Sequence, residues 1–386
     1  MKVLFFDFTI NFGGAPQGSL YLMSRLKDAG YETGVIDVYG RSTEYHQKAL
    51  EYGLDYFVLK KNIKNVTIGY SDKPLLRVLK IFSQSFDYIS IVIRLFKVIR
   101  KNKPDIILIN NEKSLFFLNL LESFISVKKV LYFRGEGTPE QLPLRFIKAL
   151  THKTDYVVTH SKKAIINLKN AGIPDEHLKY IPNCIEINRF AKPTLSDDLP
   201  PKKNFRLILA AARLLKEKGH HIAIEALYKL KQKNIEIDLL IPGVVPTGVE
   251  DSYHQYLKKL IKIYKLQDNI HFIGWRNNLL SDMIQCDVVV LPSHTEGFPR
   301  SVIEAMIHGI PVCATPVGGI PEAIRHEETG MLFDVDSSEQ LMNCLLTLIQ
   351  NADLREKIID SAQTFAREYF HPNRNTQGMI SILEKV

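Results

Sequence analysis

The chain has 386 residues, 45% apolar and 24% charged, which excludes a disordered or collagen-like polymer and leaves room for about two or three globular domains. Cys184, Cys286, Cys313 and Cys344 are widely spaced and form no CxxC or Cys/His cluster; neither a disulfide framework nor a zinc site is expected, and a reducing compartment is the simplest reading. The net charge of +8 is unevenly placed, with 29 Lys+Arg against 18 Asp+Glu in residues 1–195 and 21 against 24 in the remainder.

VLFFDF (3–8) reads as a buried strand, GGAPQG (13–18) as a turn and SLYLMSRLKDAG (19–30) as a helix closing on Gly30, the opening of a Rossmann-like unit. No charged leader precedes the strand, and no apolar run approaches the roughly 20 residues of a membrane span, so a cytoplasmic location is expected. Gly13 and Gly14 suit either a phosphate-approaching loop or a tight turn. Ser19 follows Gly18 where a nucleoside-triphosphate loop has lysine, and the turn does not read G-x-G-x-x-G.

TGVIDVY (33–39) is a second strand, and residues 40–72 are irregular. KPLLRVLKIF (73–82) and YISIVIRLFKVIRKNK (88–103) have helical spacing with Arg77, Lys80, Arg94, Lys97, Arg100, Lys101 and Lys103 to one side. Such segments read as surfaces for an anionic bilayer or as helices packed on a sheet, and the second precedes the strand DIILIN (105–110), where a crossover helix is expected. No aromatic stacking motif accompanies the charge, so nucleic acid is not an expected partner. Helix and strand alternate to about residue 182, which implies a parallel sheet covered on both faces. KPTLSDDLPPKK (192–203) is the linker candidate.

A second alternating series follows, from RLILAAAR to GMLFDV. Arg213 follows its first strand at the carboxyl edge, where open α/β sheets bind ligands. Arg213 offers a planar fork and Lys218 a mobile point charge, a suitable pair for a diphosphate. Trp275, the only tryptophan, ends HFIGW and suits either base stacking or packing. The apolar strand DVVVLPS (287–293) leads into EGFPRSVIE (296–304), a strand-to-helix crossing. Pro299 is expected as the first helical residue, leaving the amides of Arg300 and Ser301 without helical partners and facing an anion. Glu296 just before the turn and Glu304 on the next are acceptors suited to hydroxyls. Phosphates between two polyols, as in a nucleotide sugar, would match this pattern. DVD (334–336) is explained by a helix cap at Ser337 or Ser338, and no metal is assigned.

EGFPRSVIEAMIHGIPVCATPVGGIPEAI (296–324) and ETGMLF resemble the E-x7-E region of the retaining glycosyltransferases of family 4. Further matches run in the same order: GGAPQGSLYLMSRLKDAGYE (13–32), HLKYIPNCIEINRF (177–190), AARLLKEKGHHIAIEAL (211–227) and HFIGW (271–275). The resemblance implies the GT-B fold: α/β, with two Rossmann-like domains facing across a cleft. The boundaries read 1–190 for an acceptor domain, joined by a last helix at about 370–386, and 204–369 for a nucleotide-sugar domain.

The resemblance also implies roles. Glu296 would hold the donor sugar, Glu304 the ribose, and Arg213 with Lys218 the diphosphate. The amides of Gly297, Phe298, Pro299, Arg300 and Ser301 would line sugar and phosphate, Pro299 itself having no N–H to donate. Gly243 and the segment Ile273 to Arg276, with Trp275, would serve the donor and its base, and Gly13 with Gly14 would approach the reacting centre. Cys184 stands where the family has glycine, Pro299–Arg300 where a glycine and an apolar residue are common, and YFRGEG (132–137) where many members carry a histidine; Arg134 and Glu136 are its nearest substitutes.

The implied activity is retaining transfer from a nucleoside-diphosphate sugar, with UDP the expected carrier and no metal or other cofactor. The acceptor would be lipid-linked or a saccharide, in cell-surface polysaccharide or glycolipid synthesis. The basic first half is open to peripheral contact with an anionic membrane, by charge alone. The rivals are a nucleotide-sugar epimerase or phosphorylase on the same fold, and a non-catalytic membrane-surface scaffold.

Overall fold

The computed structural model describes residues 1–10, 12–61, 74–139, 142–186, 191, 193–211, 213–246 and 250–386, and of residues 74–85 the backbone alone. The chain divides into two compact units: unit 1 is Met1–Thr159, Ile165–Ile181 and Thr376–Val386, and unit 2 is His160–Ala164 and Pro182–Asn375.

Unit 1 alternates strand and helix: β1 (Lys2–Asp7), α1 (Gly14–Asp28), β2 (Glu32–Asp37), α2 (Thr43–Glu51), β3 (Asp55–Val58), α3 (Pro74–Asn102), β4 (Ile106–Ile109), α4 (Glu112–Asn119), β5 (Lys128–Phe133), α5 (Leu144–Lys153), β6 (Tyr156–Thr159), α6 (Lys162–Asn170) and β7 (Leu178–Tyr180). All strand pairs are parallel, in the order β3-β2-β1-β4-β5-β6-β7. Val3, Leu4, Phe5 and Phe6 are wholly buried, as a sheet covered on both faces requires.

Unit 2 repeats the logic with β8 (Phe205–Leu209), α7 (His220–Gln232), β9 (Ile237–Pro242), α8 (Ser252–Ile263), β10 (Ile270–Gly274), α9 (Leu279–Met283), β11 (Val288–Leu291), α10 (Arg300–Ile307), β12 (Val312–Ala314), α11 (Ile320–Ala323), β13 (Met331–Leu332), α12 (Ser338–Gln350) and α13 (Ala352–Tyr369), followed by α14 (Pro372–Leu383). Its strands are also parallel, in the order β10-β9-β8-β11-β12-β13. Both sheets therefore reverse direction at their first strand, the Rossmann arrangement. Each of the two units is a parallel-sheet α/β domain of Rossmann type.

Four local readings are corrected. The segment read as irregular over 40–72 holds α2 and β3 in its described part. Helix α1 begins at Gly14, with Gly13 as an extended N-cap, so GAPQG is its first turn rather than a loop; Pro16 fits there because first-turn amides have no helical partner to lose. The two segments read as separate helices form one, α3, since SQSFD between them holds no glycine or proline. Their first half, with the membrane contact considered for it, has side chains outside the described residues. Pro299 is the N-cap of α10, with ψ 120°, and Arg300 is the first helical residue.

Ser337 caps α12, its side chain accepting from the Gln340 amide at 3.2 Å, the helix cap expected after DVD. Among the described residues no His, Cys, Asp and Glu side chains gather in a group that could hold a metal ion, and no helix is long and apolar enough to cross a membrane.

Candidate functional site

The loops after β8 and β11 leave the carboxyl edge of the second sheet from adjacent strands, on which the order reverses. Chains diverge here, which opens a crevice at the strand ends. Lys218 and Glu296, one on each loop, meet in it: Lys218 Nζ donates to Glu296 Oε1 at 2.6 Å, with side chains 11% and 15% exposed.

Contacts within the loop after β11, from the strand next to it and between the two loops hold the pair. Ser293 Oγ donates to the same Glu296 oxygen at 2.7 Å, and Thr315 Oγ1 to the Ser293 carbonyl at 2.5 Å. The His294 amide donates to the Glu217 carbonyl at 2.8 Å. Gly219 has φ +67°, and a Cβ there would lie 1.9 Å from the Pro292 carbonyl oxygen. Only glycine permits both the turn and the approach, which sets Lys218 within reach of Glu296.

A second glycine supports the Glu296 turn from below. Gly318 has φ +56°, and its Cβ would fall 1.9 Å from the Glu296 carbonyl oxygen; the Gly319 amide donates to the Gly297 carbonyl at 2.7 Å. Phe298 is buried in the apolar cluster behind the turn, its ring 5.3 Å from that of Phe370. The turn is thus built into the core, and no side chain caps the first turn of α10. The amide of Ser301 lies in that turn, at the positive end of the helix.

Arg300 and Glu304 lie one turn apart on α10; Glu304 is buried, and the Arg300 side chain is 10% exposed. The Arg300 guanidinium is paired with buried Glu186. Burial lowers the basicity of Arg300, but Glu186 and Glu304 outweigh it and the net direction is up. Asn183 Nδ2 donates to the Phe298 carbonyl at 3.0 Å. The segment 183–186 therefore clamps the start of α10 at two points. Cys184 fits there because its φ is not positive, and its amide donates to Asn183 Oδ1 at 2.9 Å, so glycine is not required.

The structure sets the other expected residues around this edge unequally. Arg213 pairs in a one-residue bridge with Val244 beyond β9. Its side chain is 57% exposed, 3.7 Å from Glu217. Gly243, with φ +108°, donates to the Gly274 carbonyl at 2.6 Å, joining the ends of β9 and β10. Ile273 packs against the core. Trp275 is exposed, with Nε1 donating to Asn277 Oδ1 at 2.9 Å. Arg276 is engaged by wholly buried Asp282 at 2.8 Å and by Asp198 at 2.5 and 2.6 Å, so its side chain anchors the segment.

In unit 1, Gly13 accepts from the Gln17 amide at 3.1 Å, and a Cβ there would meet no atom within 4 Å. Neither conformation nor protein contact demands glycine at 13, and Gly14 is the first residue of α1. Arg134 donates to Ser19 Oγ at 2.9 Å, and Glu136 is buried.

Sequence reasoning missed Ser293, Thr315, Gly219, Asn183 and Glu186. A glycine directly before a helix, in KEKGHH, was a visible signal for Gly219; Ser293 acts on Glu296 three residues away, and Thr315, Asn183 and Glu186 act through contacts remote in sequence.

Two family models match in tandem: Glycosyltransferase Family 4 over residues 12–189 and Glycosyl transferases group 1 over 191–365. A putative colanic acid biosynthesis glycosyltransferase, WcaL of Salmonella typhimurium, is 28% identical over 57% of this chain and 54% of its own, so the chain spans about half the length of that relative. An Escherichia coli UDP-Gal:alpha-D-GlcNAc-diphosphoundecaprenol alpha-1,3-galactosyltransferase is 24% identical over 70% of this chain and 74% of its own. Anabaena Alr3699/HepE, solved in complex with UDP and glucose, superposes with a TM-score of 0.82 at 22% identity, covering 100% of both chains, which shows a common fold. The matched domains together run from residue 12 to residue 365, and the chain belongs to the glycosyltransferases that join a family 4 domain to a group 1 domain.

Proposed function

We propose that the protein transfers a sugar, with retention of anomeric configuration, from a nucleoside-diphosphate sugar held by unit 2 to an acceptor held by unit 1. The observation that carries this is the Lys218–Glu296 pair at the point where the second sheet reverses, beside the start of α10. When a donor enters, Lys218 exchanges its carboxylate partner for diphosphate oxygens, and Arg213, exposed on the same loop, adds a fork for the second phosphate. Glu296 is then released to accept from sugar hydroxyls, with Ser293 fixing its orientation. Glu304, one turn into α10, would take the ribose, and Gly243 with the Ile273–Arg276 backbone the base.

Departure of the diphosphate builds negative charge, which Lys218, Arg213 and the first-turn amides of α10 would stabilise. No metal is assigned to this step; the two cations and the amides are proposed to supply the compensating charge. The sugar would be attacked on the face the diphosphate leaves, with the leaving phosphate taking the acceptor's proton. UDP is the carrier favoured, since it appears with Alr3699/HepE and in the name of the galactosyltransferase. That name, with its diphosphoundecaprenol, also favours a lipid-linked saccharide acceptor and work at the cytoplasmic face of a membrane. Gly13 and Gly14, at the start of α1, would approach the acceptor side of the reaction.

The test is a calorimetric screen of UDP-, GDP- and ADP-sugars with EDTA present. One UDP-sugar should bind, and Arg213→Ala and Glu304→Ala should each weaken it roughly tenfold or more. Binding lost on chelation would overturn the metal-free route, and binding of none of the donors would overturn the whole reading.

A further inference from the structure

The large apolar side chains that unit 1 leaves exposed are concentrated on one layer of helices. Helix α3 carries two apolar stripes. Ile91, Leu95 and Ile99 are buried and account for its role as a crossover helix. Phe86, Ile89 and Ile93, spaced three and four apart, form a second stripe, and they are 79%, 56% and 49% exposed. The core does not explain this second stripe.

The neighbouring elements continue it. The Tyr88 and Phe117 rings stack at 5.6 Å and the Phe96 and Phe124 rings meet at 6.4 Å, placing α3 beside α4 and the turn after it. There Phe116, Leu120 and Phe124 are exposed. Arg145 on α5 lies 3.0 Å from Glu112 on α4, and adjacent Leu144 is 68% exposed. An apolar surface spread over three helices is more than the scattered residues of an ordinary protein exterior.

The charge of the layer selects the occupant. Its carboxylates are matched: Asp87 by Lys60, Glu112 by Arg145, Glu122 by Lys153. Lys97, Arg100, Lys101 and Lys148 are exposed and have no carboxylate partner among the described residues. Arg100, Lys103 and Lys128 also line, with Phe124, a cavity of about 840 Å³ at one end of the layer. A second copy of the chain would set these cations against their own kind. An anionic, partly apolar plane meets both demands.

We propose that the α3–α5 layer of unit 1 docks on the surface of an anionic lipid bilayer. Phe86, Ile89 and Ile93 enter the boundary between headgroups and acyl chains, and Lys97, Arg100 and Lys148 rest against lipid phosphates. The proposal deepens the reading of a lipid-linked acceptor and rests on it for its purpose only, since docking needs neither donor nor acceptor.

The experiment is flotation of the full chain with vesicles of phosphatidylcholine alone or mixed with phosphatidylglycerol. The protein should float with the mixed vesicles and not the neutral ones, less so as salt rises. The triple variant Phe86→Ser/Ile89→Gln/Ile93→Gln and the double variant Lys97→Glu/Arg100→Glu should each lower partitioning roughly tenfold or more. Both should keep the wild-type unfolding temperature and nucleotide-sugar affinity. The double variant changes only exposed cations, so the test stands if the triple variant folds poorly. Failure of the wild type to float, or flotation of the double variant like wild type, overturns the proposal. So does a wild-type dimer that either variant converts to monomer, which would make a second copy the occupant. A chain that transfers sugar to acceptor in detergent yet never floats defeats docking alone; one that floats yet binds no nucleotide sugar defeats the functional reading alone.

Discussion

The Arg300 side chain is largely covered at the start of α10, with its charge balanced by buried Glu186, more than a hundred residues earlier, and by Glu304 on its own helix. Removing one partner of a buried pair costs more than the pair contributes, because the other charge is left without compensation. Glu186→Ala should therefore lower the unfolding free energy by about 3–5 kcal/mol. Replacing both residues at once, Glu186→Leu with Arg300→Met, should recover most of that loss. A urea titration of the three variants checks this, and a double variant less stable than Glu186→Ala would show that the pair itself carries the stability. Arg300 was legible in the sequence as a first-turn amide facing the donor and as a departure from the family pattern near the E-x7-E turn, with nothing to mark its side chain as half of an ion pair. Its partner was not, because a contact between residues 186 and 300 leaves no periodic trace in either segment.

At the scale of elements, alternation and turn chemistry carried most of the reading. Buried runs such as KVLFFD and VVVL can only be interior strands, and helices between them force parallel pairing. Boundaries failed where one residue type permits two structures. Pro16 suits a loop or a first helical turn, and Pro299 suits N-cap or N1, the extended ψ of 120° making it the N-cap of α10. Helix α7 shows a further feature beyond sequence reasoning. His220, its first residue, is wholly buried, and burial, with nearby His221 and Lys218, holds its pKa down to about 4. In the unfolded chain this imidazole takes a proton near pH 6.5, whereas in the fold it does not until near pH 4. Its contribution is complete above the unfolded pKa and declines as pH falls from 6.5 toward 4, by up to about 1.4 kcal/mol per pH unit. His220→Gln should reduce that slope, so the stability gap between wild type and variant should shift by about 2 kcal/mol between about pH 7.5 and about pH 4.5. Parallel urea titrations at the two pH values read the difference, and an unchanged gap would place the acid sensitivity elsewhere.

For the whole molecule, the chain order and the division into units do not coincide. Helix α14 leaves unit 2 at Asn375, and Thr376–Val386 belongs to unit 1. Met379, Ile382 and Leu383 sit in the core cluster of unit 1 with Val3, Phe5 and Leu20, and Gly378 lies against Ile181, where a Cβ would come within 3.3 Å of that side chain. A terminal helix is ordinarily the most dispensable part of a domain, but this one fills a sheet face formed by the first strands of the chain. Each of the three side chains contributes about 1.5–3 kcal/mol by burial, against a domain stability of about 5–15 kcal/mol. Deleting residues 376–386 should therefore unfold or nearly unfold unit 1, while unit 2, whose clusters contain none of these residues, keeps its fold. Calorimetry should show the unit 1 transition lost or moved sharply down and the unit 2 transition little changed, with nucleotide-sugar binding retained and transfer to acceptor abolished. A truncated chain that still transfers sugar would mean that the first sheet holds its shape without the returning helix, and that Met379, Ile382 and Leu383 cover a core already sufficient without them.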